Sequence, residues 1–237
     1  MTYLQAETRR HFPDADVETI YYTWAGVRAL VLERSRSGMT ESQVSRKDKI
    51  HNHADDGIPG LVTVLGGKIT AYRAISEQLG NMAVQILGRG GPAKTADTLY
   101  PHAPSPSLES YTDTLRAREV APEEVQSLVH TFGTAAERIM RAEQESPDLR
   151  CRIVEGAPET LAQVAYAARE EMAVTLADAL LRRTGVGFGP RQGIGGLDAA
   201  ARVMAAVHGW DAARITEEIA AYRQEIEPMR RFSQVRS

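Results

Sequence analysis

The sequence predicts an α+β fold: a small antiparallel sheet segment with a long strand-to-helix element, followed by an all-α C-terminal domain. Three features point there. Val, Ile, Thr and aromatic residues gather in short runs before residue 66, as strands require. The run Leu61-Val62-Thr63-Val64-Leu65 passes through Gly66-Gly67 straight into apolar residues of helical period. Beyond about residue 108 that period recurs, segment after segment, between breaks containing Pro or Gly.

Taken in order, residues 2–12 read as a helix end, stopped by Pro13-Asp14-Ala15-Asp16. Residues 17–24 and 27–32 have strand composition, and the polar stretch 34–41 with Gly38 reads as a loop. Residues 49–53 and 60–65 flank the turn signal Asp55-Asp56-Gly57, which predicts an antiparallel hairpin. From Lys68 on, Ile69, Tyr72, Ile75, Leu79, Met82 and Ile86 recur every three or four residues. That spacing predicts one face of a helix of about five turns. Gly88-Arg89-Gly90-Gly91-Pro92 ends it, and Pro101, Pro104 and Pro106 mark a linker. The predicted division is therefore 1–91, an incomplete first domain; 92–107, a linker; and 108–237, a helical domain. Helices are expected over 108–118, 122–132, 134–144, 158–184, 198–208 and 211–227, with Pro122 and Pro158 near helix starts. Within 158–184, Leu161, Val164, Ala168, Met172, Leu176 and Ala179 form the stripe expected to be buried. Residues 185–196 contain six glycines in twelve and read as a flexible interhelical loop.

Composition removes several function classes. Apolar residues at 43% and charged residues at 25% are ordinary for a packed chain and argue against disorder. The net charge of −3, with basic residues interleaved among acids, gives no basic surface for nucleic acid. A single cysteine, Cys151, forbids a disulfide framework within the chain, suits a reducing compartment and reads as structural. The first residues lack the charged and apolar regions of a signal peptide, and no apolar run approaches the ~20 residues of a membrane span. A cytoplasmic chain is expected, with membrane contact limited to peripheral association at the inner face of the cell membrane.

Nucleotide-binding fingerprints fail position by position. The Gly-x-Gly-x-x-Gly pattern meets Pro190 when started at Gly185, Gln192 from Gly187, Asp198 from Gly193 and Ala93 from Gly88. The Walker pattern fails because Gly67-Lys68 is followed by Ile69. His51 and His53 alternate on a strand and share a face, but no Cys or carboxylate stands at the usual ligand spacing, so they read as a hairpin pair and no metal site is assigned. No catalytic acid, base or nucleophile is assigned either. What remains is the turn Gly66-Gly67-Lys68-Ile69-Thr70. Glycines there permit close approach of a ligand, and free N–H groups, the helix dipole and the Lys68 ammonium all favour an anion or electron-rich oxygen. Arg28, in an otherwise apolar strand context, and Arg46 are further candidate cations.

With those residues in place, the chain resembles the flavin-dependent, respiratory-type glycerol-3-phosphate dehydrogenases. The resemblance is carried by Thr23-Trp24-Ala25-Gly26-Val27-Arg28-Ala29-Leu30, by Ser45-Arg46-Lys47-Asp48, and most specifically by Gly66-Gly67-Lys68-Ile69-Thr70-Ala71-Tyr72-Arg73. It continues through residues 164–173 and 175–184, Gly209-Trp210 and Tyr222, in the family's order. Departures are Ala29, where the family often has proline, and Lys47, where it has aspartate. The family's Gly-x-Gly-x-x-Gly domain, which holds the ADP part of FAD, is absent from this sequence, and Met1 falls in the middle of the family's length.

The resemblance implies the C-terminal portion of an enzyme that oxidises sn-glycerol 3-phosphate to dihydroxyacetone phosphate through FAD, with quinone as electron acceptor. It implies that Arg28, Arg46 and Lys68 bind substrate. It implies that Gly66, Gly67, Lys68, Ile69 and Thr70 border the pyrimidine edge of the flavin. It also implies a complementary FAD-domain chain or segment, without which this chain is inactive. Two other readings stand beside it: a non-catalytic helical interaction module derived from the family, and another FAD-dependent oxidase of the same superfamily acting on an amine or amino acid.

Overall fold

The computed structural model describes residues 2–27, 48–117 and 122–231. Arg28 and Arg46, the expected loop over 34–41 and nearly all of the strand expected over 27–32 lie outside the described residues. The chain divides into two compact units, Ala25–Pro101 and a helical unit made of Met1–Trp24 with His102–Ser237. Among the described residues, no helix is long and apolar enough to cross a membrane.

In the smaller unit, β1 (Lys49–Asn52) pairs antiparallel with β2 (Val62–Leu65), setting Ile50 opposite Val64 and His51 opposite Thr63. The connection is a 3-10 turn, His53–Asp56. Asn52 caps it by accepting from the Ala54 N–H at 3.1 Å, and Gly57 closes it in the left-handed region at φ 82°. A second 3-10 turn, Ile69–Ala71, feeds the predicted helix, α2 (Tyr72–Leu87), which ends at Gly88 with φ 64°. The chain then folds back along α2. The Ala93 N–H donates to Asn81 Oδ1 at 2.7 Å, and the Thr95 hydroxyl donates to Glu77 at 2.8 Å. Arg73 donates to both Glu77 and Thr95. No described residue of this unit is buried; Ile69 is 86% exposed and Leu87 63%. The apolar stripe read from the sequence exists, but the unit covers it only in part: Ile75, Leu79 and Met82 are half-buried and Ile69, Tyr72 and Ile86 are exposed.

The helical unit opens with α1 (Thr2–His11). Residues 17–24, expected as a strand, are irregular. Their polar groups bond elsewhere: the Thr23 N–H donates to Met229 O at 2.8 Å, Tyr22 Oη to Phe188 O at 3.1 Å, and Gln5 Nε2 to Val17 O at 2.8 Å. Strand composition without a neighbouring strand cannot make a ladder.

Next come α3 (Leu108–Arg116), capped by Ser107, α4 (Pro122–Phe132) and α5 (Ala136–Glu145). Leu115, Val125, Leu128, Val129, Phe132 and Ile139 form a core between them. A second core joins Leu176, Leu180, Leu197, Met204, Tyr222 and Ile226, drawing on α7 (Leu197–His208) and α8 (Ala212–Arg230). Helix α6 (Leu161–Glu170) runs between them: Ala162 and Tyr166 belong to the first core, Leu161, Val164, Ala167 and Ala168 to the second.

The single helix expected over 158–184 is interrupted. The N–H groups of Glu171 and Ala173 both donate to Ala167 O at 3.1 Å, and Met172 turns left-handed at φ 57°. Met172 is 84% exposed, so it leaves the stripe to which it was assigned. The chain restarts through reciprocal caps, Thr175 N–H to Asp178 Oδ2 at 2.9 Å and Asp178 N–H to Thr175 Oγ1 at 3.1 Å, then forms a π-helical turn, Asp178–Arg183.

The glycine-rich stretch is packed rather than flexible. A Cβ at Gly196 would lie 2.0 Å from Ile153 O, and one at Gly187 would lie 2.4 Å from Leu180 O. Gln192 is buried, and its carbonyl accepts from Tyr222 Oη at 2.6 Å. Cys151, read as structural, has an exposed side chain; its carbonyl accepts from the Leu161 N–H at 2.9 Å, so its structural contribution is through the backbone.

Candidate functional site

The turn from β2 into α2 carries the residues singled out by the sequence. Gly66 and Gly67 both take positive φ, 66° and 89°. At Gly67 a Cβ would also be crowded, approaching Ile75 Cδ1 to 3.0 Å and Asp48 Cβ to 3.2 Å. Lys68 is extended (φ −105°, ψ 142°) and is the helix N-cap, with no side chain capping the turn. The first backbone pair downstream is the Ala71 N–H donating to Lys68 O at 2.9 Å. Helix geometry therefore gives the Ile69 and Thr70 N–H groups no intrahelical acceptor, at the positive end of a dipole that continues through α2. Lys68, Ile69 and Thr70 are exposed. The arrangement can present N–H donors and one ammonium to an anionic or polarised oxygen on a flat edge. Gly66, Gly67, Lys68, Ile69 and Thr70 are thus brought together in one turn, whereas Arg28 and Arg46 lie outside the described residues.

One turn later, the Arg73 guanidinium is committed to Glu77 and Thr95 at 2.5 and 2.8 Å. The Thr95 hydroxyl, then Arg73, hold the Glu77 carboxyl below the ordinary glutamate range. The Arg73 charge therefore fastens the returning chain to α2.

A cluster that sequence spacing did not suggest lies at the far end of the hairpin. Asp56 Oδ2 sits 2.7 Å from His51 Nε2 and 2.8 Å from His53 Nδ1, and His53 Nε2 sits 2.9 Å from Thr63 Oγ1. The two imidazoles meet edge to face at 4.4 Å. The hydrogen bond from His51, then that from His53, hold the Asp56 carboxyl below its ordinary value. Asp56 is a carboxylate partner for the histidine pair that linear spacing did not indicate: the 3-10 turn after Asn52 brings a residue three positions beyond His53 back beneath it.

The helical unit has its own buried polar joint. Glu218 on α8 accepts from the Leu176 N–H at 2.8 Å and from Arg214 at 2.5 Å. Trp210 stacks on His208 with ring centres 5.6 Å apart and lies under the Arg214 guanidinium at 5.8 Å. Burial, with the neighbouring Glu225 charge adding to it, pushes the Tyr222 hydroxyl up from the usual tyrosine range. A cleft of about 900 Å³ borders the glycine-rich stretch, lined by Val154, Glu159, Val186, Phe188 and Arg191 among others.

Residues 66–215, which begin at the first glycine of the turn, match the family model described as the C-terminal domain of alpha-glycerophosphate oxidase. The chain belongs to this family. It is similar to the glycerol-3-phosphate dehydrogenase of Synechocystis, 28% identical over 234 residues, covering 95% of this chain and 41% of the relative. It is similar also to the aerobic glycerol-3-phosphate dehydrogenase of Staphylococcus haemolyticus, 28% identical, covering 73% of this chain and 32% of the relative. The mitochondrial glycerol-3-phosphate dehydrogenase of Arabidopsis thaliana is 27% identical, covering 86% of this chain and 34% of that protein. The chain thus spans between about a third and two fifths of the length of these curated relatives, and corresponds to the C-terminal portion of this family.

Proposed function

We propose that the chain serves a flavin-dependent glycerol-3-phosphate dehydrogenase, supplying one side of a substrate and flavin site that another chain or segment completes. The observation that carries this is the turn at Gly66-Gly67-Lys68: two glycines at positive φ, uncapped N–H groups at Ile69 and Thr70, and an exposed ammonium, all inside the family match. The fit to a flavin rests on that donor set, because an electron-rich heterocycle edge with a ring nitrogen and a carbonyl oxygen is what such donors recognise. When bound, FAD would supply the two-electron acceptor that takes hydride from the substrate carbon. This chain's residues would hold the cofactor's edge through backbone N–H groups, and Lys68 would place positive charge where negative charge gathers. With Arg28 and Arg46, Lys68 would also draw in the phosphate of sn-glycerol 3-phosphate. Quinone is the proposed onward acceptor, and the proposed setting is the cytoplasm, with peripheral contact at the inner membrane face.

The unburied small unit supports the need for a complementing surface: its described residues leave Ile69, Tyr72 and Leu87 half to mostly exposed. On this reading, the chain alone does not turn over. The test is to combine it with a separately produced flavin domain of the same family and follow flavin bleaching by glycerol 3-phosphate with an artificial acceptor dye. Lys68→Met is expected to lower kcat/KM by about 100-fold or more, the scale of losing one positioned electrostatic donor. Bleaching that proceeds equally with Lys68→Met and with Arg28→Met would sink the assignment.

A further inference from the structure

We propose that His51, His53 and Asp56 form a binding site for one divalent transition-metal ion, zinc in particular, which clamps the β1–β2 hairpin. The proposal is independent of the flavin reading. Among the described residues these three offer two imidazole nitrogens and a carboxylate oxygen, all within 4.8 Å of one another. Ligand atoms around a tetrahedral zinc stand about 3.4 Å apart, from bonds of about 2.0–2.1 Å. The Asp56 to histidine distances of 2.7 and 2.8 Å are therefore those of ligands closed on one another; seating the ion opens them by about 0.6 Å and brings the two imidazole nitrogens, which lie within 4.8 Å of each other, to the same spacing.

Two further observations favour a metal over a simple hydrogen-bonded cluster. The first is His53, which faces Asp56 with Nδ1 and holds Thr63 Oγ1 with Nε2 at 2.9 Å. A hydroxyl both donates and accepts. Thr63 can therefore donate to Nε2 when Nδ1 carries the proton, and accept from Nε2–H when Nδ1 binds metal. That is the outer partner a ligating histidine requires, and β2 delivers it because Thr63 pairs with His51. The second is the unit around the site, which has no buried residue among those described. Whatever surface completes the unit, an ion would add a tie that the unit's own packing does not supply. A ion here would tie β1, the turn and, through Thr63, β2 into one piece. Two nitrogen ligands select zinc, cobalt, nickel or copper over magnesium and calcium, which prefer all-oxygen sets. Three protein ligands leave a coordination position for water.

The test titrates the metal-stripped 237-residue chain with Zn²⁺ by calorimetry and with Co²⁺ by visible absorption. One ion per chain is expected, with Co²⁺ bands of four- or five-coordinate intensity and ring resonances of His51 and His53 that move on binding while those of the exposed His11 and His130 do not. Asp56→Asn and His53→Asn should each abolish saturable binding, and Thr63→Val should weaken it roughly 10- to 100-fold. Hydrogen exchange at Ile50 and Val64 should slow with Zn²⁺ in the unaltered chain only. Absence of saturable binding by about 1 mM Zn²⁺ would overturn the proposal. So would binding that persists in both ligand variants, or ring shifts confined to other histidines; because the last reading uses the unaltered chain, misfolding of a variant cannot decide the outcome.

Discussion

Replacing Glu218 separates what its two carboxylate oxygens do. One accepts from the Leu176 N–H at 2.8 Å, and Leu176 is wholly buried; the other meets Arg214, whose side chain is 46% exposed. Glu218→Ala leaves the Leu176 N–H buried without an acceptor, a cost of about 1–3 kcal/mol. Removing the covered part of the side chain adds about 0.8 kcal/mol per methylene. The half-exposed ion pair contributes only about 0–1 kcal/mol. The sum is about 2–5 kcal/mol, dominated by the orphaned amide. Glu218→Gln retains a carbonyl oxygen for Leu176 and gives up only the charge and the acceptor facing the half-exposed Arg214, so about 0–1 kcal/mol should be lost. At roughly 2–4 °C per kcal/mol for a domain of this size, the alanine variant should melt about 4–20 °C lower and the glutamine variant within about 4 °C of the unaltered chain. Calorimetry gives the melting temperatures, and amide hydrogen exchange at Leu176 locates the effect. Equal losses for Ala and Gln, or a Leu176 amide that exchanges no faster in Glu218→Ala, would refute the assignment of the stabilisation to the buried N–H.

Alanine at Gly67 should destabilise the strand-to-helix turn by roughly 1–2 kcal/mol through its left-handed backbone, before crowding against Ile75. Gly80→Ala, in open space within α2, should stabilise by about 0.5–1 kcal/mol; α2 amide exchange in the two variants should move in opposite directions, and movement in the same direction would count against the close-approach argument. Glu143 is held above the usual glutamate range by burial, with the Glu124 charge adding to it, against a hydrogen bond from Thr160. A raised folded-state value gives a contribution present below the unfolded pKa and lost as pH rises through the folded one. Glu143→Gln should therefore gain stability relative to the unaltered chain as pH is raised from about 4 to 7, and a pH-independent difference in melting temperature would contradict the sign. Limited proteolysis should cut within residues 48–101 well before the helices spanning 122–230, since only the latter carry buried cores; the reverse order would overturn the inference drawn from exposure.

Local signals were readable where structure depends on local chemistry. The hairpin, the start of α2 behind Gly66-Gly67 and the bounds of α4 follow from turn residues and helical period. Residues 17–24 were not readable, because a strand is a relation to a partner and Thr23 found a helix-end carbonyl instead. The break after Glu170 hid behind phase: Leu176 and Ala179 fall in step with Leu161 and Val164, so the apolar period runs on across the interruption. The Thr175-x-x-Asp178 capping pair was a visible sign of a new helix start. The glycine-rich stretch misled by composition, since Gly187 and Gly196 are there for backbone-to-backbone contact. At the site, the residues of the turn were legible as a sequence motif. Asp56 was not, because only the 3-10 geometry returns it to His51 and His53.

Helix α6, with Ala162 and Tyr166 in one core and Val164 and Ala167 in the other, carries a thermodynamic consequence. Neither cluster can melt without uncovering a face of α6, and an α6 stripped on one side loses the support that holds it against the other. The two cores are therefore one folding unit. Unfolding of the helical region should proceed as a single cooperative transition, and damage to either cluster should register in the melting of both.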